Sequence, residues 1–320
     1  MNTFPWLIKR EYWEHRGGFL WAPVVTGGVY LALTLMALVV AMVSADRVGF
    51  KINNIDLGEV TENLSASQLV EVGASIDLSL YMTASLIGVV AAIVVFFYCL
   101  GSLYDDRKDR SVLFWKSLPV SDRGTVASKA LSALLLVPAI AAVAAIATGV
   151  GFLLLMGGYV ALYGVNPFRV IWGPASPLSV ALHLLATLPV HAVWALPTVG
   201  WLMLCSAWAR SKPFLWAIAI PVGAGIIVSW FDVLQRFAIP DFWFWKNIVF
   251  RMLFSVVPAS WLDLDVFEHA DIQGPSEVLQ MLDLASIYSV LGRVDTWIGA
   301  AAGVAMLVAS VYFRRRRDDA

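Results

Sequence analysis

Residues 130–157 read ALSALLLVPAIAAVAAIATGVGFLLLMG, and no Asp, Glu, Lys or Arg interrupts them. A helix needs about 20 such residues to cross about 30 Å of hydrocarbon. A soluble core helix would present a polar face at helical spacing, and this stretch has none. Five further stretches match it, at 19–43, 79–103, 180–208, 214–231 and 296–313, and all five also lack charged residues. A charged side chain at the centre of a span costs roughly 2.5–3.5 kcal/mol on insertion scales, so this shared absence is informative. The sequence predicts an all-α membrane protein of six transmembrane helices, forming a single transmembrane domain over residues 1–320.

The whole-chain composition agrees. Of 320 residues, 60% are hydrophobic and 14% charged, and mean hydropathy is +0.77. Soluble domains carry about 25% charged residues, so this chain cannot clothe a water-facing surface. A net charge of -1 and scattered basic residues exclude a nucleic-acid binder. Cys99 and Cys205 both fall inside apolar stretches, which excludes a disulfide framework and a cysteine-based zinc site. The first apolar stretch is longer than the roughly 7–15 residues of a cleavable signal and reads as a retained span.

Six spans place both termini on one side. That side carries 15 of the 22 Lys and Arg residues: Lys9, Arg10 and Arg16, six between spans two and three, Arg210 and Lys212, and residues 314–317. The positive-inside rule makes it cytoplasmic. Residues 4–16 read as an amphipathic helix lying at that surface, with Ile8, Tyr12 and His15 aligned. On the opposite side, residues 44–78 contain a short helix near 66–71, residues 158–179 form an irregular loop, and 232–295 form the longest loop. Within the last, 241–257 is apolar but broken by Lys246, Asn247 and Arg251. It is too short and charged to span, and long enough to lie in the interface or re-enter. A helical segment near 276–290 leads to the last span.

Catalytic motifs are missing. The chain has no P-loop, HExxH, CxxC or GxSxG. His183 and His191 lie on one side of the fourth span, as polar lining of a path or as interhelical hydrogen-bonding groups. Trp194, Trp201 and Trp208 recur every seventh residue there, lining a cavity or simply packed. His191, Trp194 and Trp201 are the candidates for a translocation path. The cluster Asp263, Asp265, Glu268, His269 and Asp271 lacks the EF-hand order and reads as a solvated acidic surface. Gly299 and Gly303 form a GxxxG element suited to close helix contact.

The segment 104–129, YDDRKDRSVLFWKSLPVSDRGTVASK, carries more than an anchor requires. An apolar centre (Val112, Leu113, Phe114, Trp115) lies between charges of both signs and ends at Pro119, with Ser121 or Asp122 placed to cap the third span. Apolar anchors with a polar rim make a docking surface. Here the sequence resembles the permease subunits of ABC-2-type ATP-binding-cassette transporters. The resemblance rests on Asp105-Asp106-Arg107 after the second span, then Leu113-Phe114-Trp115-Lys116, then Ser117-Leu118-Pro119-Val120-Ser121, and Lys129 opening the third span. The usual Glu-Arg of the family is replaced by Asp-Asp-Arg-Lys-Asp.

The resemblance implies a cytoplasmic coupling helix between spans two and three, re-entrant helices before span six, and a bacterial inner-membrane exporter. It implies a homodimer, or a pair of related permeases, served by two separate cytoplasmic ATPase subunits. ATP and magnesium would sit on those partners, with no cofactor and no enzymatic chemistry on this chain. The ATPase-coupling interface would comprise Asp105, Asp106, Arg107, Leu113, Phe114, Trp115, Lys116, Ser117, Leu118 and Pro119. The uncharged spans favour a hydrophobic or amphiphilic cargo. Two rival readings stand beside it: a non-transporting scaffold or sensor recruiting cytoplasmic partners, and a membrane-embedded lipid enzyme using the acidic cluster.

Overall fold

The computed structural model describes residues 4–47, 64–109, 121–230, 241–262 and 274–316. It is helical, with no strand among the described residues, and six helices are long and apolar enough to cross a membrane. The chain is therefore a multi-pass all-α membrane protein. A short helix, α1 (Phe4–Glu14), leads through a π-turn at Gly17–Trp21 into the first span, α2 (Ala22–Arg47). The second span is α3 (Ala66–Ser102), followed at once by α4 (Tyr104–Lys108). The third is a continuous run made of α5 (Asp122–Leu131), a π-turn (Ser132–Leu136) and α6 (Val137–Leu162). Then come α7 (Pro177–Ala186), α8 (Leu188–Trp208) and α9 (Pro213–Trp230). After α10 (Asp241–Phe244), a π-turn and α11 (Arg251–Phe254), two short helices, α12 (Pro275–Met281) and α13 (Leu284–Ser289), lead to the last span, α14 (Val294–Arg316).

The central helix is α8, which packs against α14, α3 and α9, while α2 lies outside against α3 and α6. Burial follows this order: 67% of the α8 span is buried, against 6% of the α2 span. The exposed side chains of α2 are Val, Leu and Met, which suit lipid and not water. Exposed Trp6, Trp13 and Trp21 gather at the end of the bundle that holds α1, and Trp230 and Trp297 at the other, as interfacial tryptophans do. The α1 end, which also holds the close of α14, is called the basic end below.

Four features differ from the sequence reading, each for a physical reason. The helix expected near 66–71 is the start of α3. Ser65 forms a capping box with Gln68, and the first turns are held by Gly73 against the Pro174 carbonyl and by Asp77, whose carboxylate accepts the Ser176 N–H at 2.9 Å. With 37 residues, α3 is about 55 Å long and extends well beyond the hydrocarbon. The loop expected at 158–179 is largely helical: α6 runs to Leu162, a π-turn spans Phe168–Trp172, and α7 begins at Pro177. The fourth span, expected as one helix, bends at Thr187, because Pro189 has no N–H to give to the preceding turn. The same defect at Pro138 is absorbed upstream, where the Val137 N–H reaches back five residues to Ser132 and makes the π-turn.

The fourth difference concerns α1. The stripe Ile8, Tyr12 and His15 is only half-buried, and the helix seats itself on Leu7 and Glu11 instead. The GxxxG expectation is met at Gly303 alone, since Gly299 lies against the Arg251 guanidinium. A Cβ on Gly303 would lie 2.4 Å from the Leu196 carbonyl oxygen, and one on Gly200 would lie 2.4 Å from that of Gly303. The backbones of α8 and α14 therefore touch where neither helix has a side chain. Of the apolar segment 241–257, residues 241–254 form one helical run through α10, its π-turn and α11, and the rest is turn.

Candidate functional site: a buried chain of charge between α1, α4, α5 and α14

The helices that open and close the 104–129 segment meet three others at the basic end. Charged residues sit just beyond each span, where the chain leaves the apolar layer, and folding brings five such ends together. Glu11 of α1 is completely buried and Lys129 of α5 is 2% exposed. The Lys129 ammonium donates to Glu11 Oε2 at 3.4 Å and lies 3.7 Å from Asp106 Oδ2 of α4. Asp106 also takes Arg314 Nη1 of α14 at 3.2 Å, and Arg314 Nε donates to Asp122 Oδ1 of α5 at 3.2 Å. Arg10 closes on Glu11 Oε1 at 2.5 Å, and Arg315 Nε stands 3.7 Å from Asp122. Signs alternate along the whole path: Arg10, Glu11, Lys129, Asp106, Arg314, Asp122, Arg315.

Such burial is tolerated only because every charge meets its opposite. Desolvation opposes ionisation of Glu11, yet the Lys129 charge, the Arg10 hydrogen bond and charge, and the Tyr98 hydroxyl donating at 2.8 Å together outweigh it. The Glu11 carboxyl is held below its ordinary range. His15 stacks on Phe19 and meets the Tyr98 ring edge, closing the apolar side of this corner.

A second clamp fixes the start of the loop to α8. Arg107 Nη2 donates to the Ser206 carbonyl at 2.5 Å and to the Ala209 carbonyl at 3.0 Å, the free oxygens at the end of that helix. A cation there also meets the negative end of the helix dipole. In return the Ser206 hydroxyl accepts the N–H groups of Leu103 and Tyr104 at 3.0 and 2.9 Å. At the other side of the loop, Ser121 caps α5 by accepting the Gly124 N–H at 3.1 Å.

Of the expected coupling residues, Asp106 and Arg107 are thus engaged within the chain, and Asp105 is exposed. Leu113, Phe114, Trp115, Lys116, Ser117, Leu118 and Pro119 lie outside the described residues, as does the acidic cluster 263–271. The three path candidates are all buried on α8 but do not share one chamber. His191 lines a cavity. Trp194 donates to Ser260 Oγ at 3.0 Å, and the Arg251 guanidinium stands 4.2 Å from its ring centre. Trp201 donates to the Ala217 carbonyl of α9 at 2.9 Å.

Sequence reasoning missed Glu11 and Arg314 as partners. A signal existed for the first: Glu11 stands four residues after Leu7, on the side of α1 that its neighbours Ile8 and Tyr12 flank, where a free surface helix would not keep an acid. Arg314 looked like one of four equivalent arginines, and only the fold separates it from the rest. Among the described residues no cluster of metal-ligating side chains occurs. The ion pairs of the charge chain join α1, α4, α5 and α14, and Arg107 joins α4 to the end of α8.

No protein-family model, curated protein or solved structure matches this chain.

Proposed function

We propose that the chain is the permease subunit of an ATP-binding-cassette exporter in a bacterial inner membrane, with both termini cytoplasmic. It works as a homodimer driven by two separate ATPase subunits that carry ATP and magnesium. The observation that carries this reading is the buried charge chain at the root of residues 110–120. A loop that serves only to orient spans needs basic residues and no rigid base. A loop that receives a push needs one, and Asp106, Arg107 and Asp122 tie both of its ends to α8 and α14. Those two helices are in backbone contact through Gly200 and Gly303, so displacement of the loop moves them together.

Closure of the ATPases on ATP would supply the differential binding energy that shifts the bundle between two states. Six spans without charged centres favour a lipid-like or otherwise amphiphilic cargo. The test is co-purification with a P-loop ATPase, sought first in the reading frames adjacent to this one. Trp115→Asp combined with Leu118→Asp should abolish cargo-stimulated ATP hydrolysis and release the ATPase. Full activity with an intact complex would refute the proposal.

A further inference from the structure

One side of α1 stays clear of the bundle, away from the side on which Leu7 and Glu11 are buried. Trp6, Lys9 and Trp13 stand at i, i+3 and i+7 and so share that outward side. Arg16, just beyond the helix end, continues the line, with its guanidinium carbon 5.9 Å from the Trp13 ring centre. The Lys9 ammonium stands 5.0 Å from the ring centre of Trp6. Indoles and bases therefore alternate along one exposed stripe, in which Trp6 and Trp13 are 66% and 56% exposed. Two indoles held so far out suit the headgroup layer of a bilayer, where one end of the ring is in apolar surroundings and the other is wet.

The stripe's charge is unanswered by the chain. Lys9 and Arg16 are exposed, and neither forms an ion pair among the described residues, whereas Arg10 engages Glu11 and Glu14. Glu14, the exposed acid of this helix, lies on the Arg10 side, 3.8 Å from its Nε. Lys9 and Arg16 are seven residues apart, about 10 Å along a helix, so each can take its own anion. A choline headgroup is a poor match, because each indole already has one of the protein's own cations beside it and the same cations repel the ammonium. A headgroup phosphate with no ammonium of its own meets two free bases instead. From the stripe the chain turns at Gly17–Trp21 into α2, whose exposed Trp21, Val24, Val25 and Val29 suit acyl chains. Headgroup and acyl surfaces thus follow one another along the chain, in the order a lipid presents them.

We infer that Trp6, Lys9, Trp13 and Arg16 form a site for anionic phospholipid headgroups, with phosphate at the two cations and acyl chains along α2. The contact needs no ATPase, so the inference stands or falls apart from the transport reading.

The full-length protein in phosphatidylcholine nanodiscs, doped with a phosphatidylglycerol carrying a diazirine in its acyl chains, is irradiated and the adducts are mapped by mass spectrometry. Adducts are expected on peptides from 17–47, with unlabelled phosphatidylglycerol competing at least about 10-fold better than phosphatidylcholine of the same chains. A basic residue near an anionic surface is worth about 5-fold, so Lys9→Gln combined with Arg16→Gln should remove about 10- to 30-fold of that preference. Both side chains are exposed and outside any ion pair, so the thermal transition should be retained. If the pair does not fold, each single variant should lose about 5-fold. Lys9→Arg combined with Arg16→Lys keeps both charges and should keep the preference. Arg210→Gln combined with Lys212→Gln removes the same charge from the exposed loop between α8 and α9 and should leave labelling of 17–47 unchanged. Free glycerol phosphate, which lacks the acyl chains, should not compete. Equal competition by the two lipids, a Lys9 and Arg16 glutamine pair that labels like wild type, an Arg210 and Lys212 pair that loses as much, or glycerol phosphate competing as well as the lipid would overturn the inference.

Discussion

Lys129→Met removes the cation at the middle of the charge chain while keeping the length of the side chain. Lys129 is 2% exposed and reaches Glu11 and Asp106 at 3.4 and 3.7 Å. Removing one partner of a buried pair costs about 3–5 kcal/mol, because the other charge is left without compensation. Here neither acid is wholly abandoned, since Arg10 still meets Glu11 and Arg314 still meets Asp106. The loss should therefore fall at the low end, about 3 kcal/mol, which corresponds to roughly 4–5 °C in the unfolding midpoint of a chain of this size. Thermal unfolding in nanodiscs, followed by circular dichroism, measures it. Glu11→Gln in the same background removes the stranded charge and should restore at least half of the loss, a coupling that a double-mutant cycle isolates. A Lys129→Met variant within 1 kcal/mol of wild type, or a double variant no better than the sum of its singles, would refute a stabilising chain of buried charge.

Acid should act through Glu11. Its folded carboxyl lies below the ordinary range, so its contribution is complete above the usual carboxylate value and is lost as pH falls through the lowered one. Glu11→Gln should therefore flatten the acid limb of the midpoint-versus-pH curve and leave the neutral region nearly parallel to wild type. Arg107→Ala, which strips the end of α8 of its cation, should cost about 1.5–3 kcal/mol and be non-additive with Ser206→Ala, as measured by the same thermal cycle. Gly303→Ala forces a Cβ against backbone and should lower stability by about 1–3 kcal/mol, whereas Gly28→Ala, with open space around it, should be neutral or slightly stabilising; the midpoints of the two variants decide. Thr198→Val breaks a bridge in which the hydroxyl donates to the Arg251 carbonyl at 2.7 Å and accepts the Ser255 N–H at 3.0 Å, and faster hydrogen exchange at Ser255 is its expected signature.

The spans were legible because their signal is an absence. Charge is excluded from the bilayer centre regardless of tertiary context, so residues such as 130–157 declare themselves one helix at a time. Helix ends were less legible. The first turns of α3 are polar enough to read as loop, and what keeps them helical is contact with residues a hundred positions away, as in the Asp77 bond to Ser176. Hydropathy likewise overlooked the bend at Thr187, although Pro189 was visible, because a proline inside a span can be absorbed without a break, as Pro138 shows.

The candidate site divides along the same line. Asp105, Asp106 and Arg107 stood out as a dense local cluster, and a local pattern could mark them. Their partners could not be marked that way, since Glu11 lies 118 residues from Lys129 and Arg314 lies 208 from Asp106. Pairing at that range leaves no periodic trace. What a single sequence does contain is a rule of cost: an acid placed on the buried side of an amphipathic helix must find a cation or stay uncharged. Applied to Glu11, the rule demands a buried base at the same membrane depth. Many of the chain's basic residues lie within a turn or two of a span at that end, Lys129 among them, so the rule calls for a base without choosing which one.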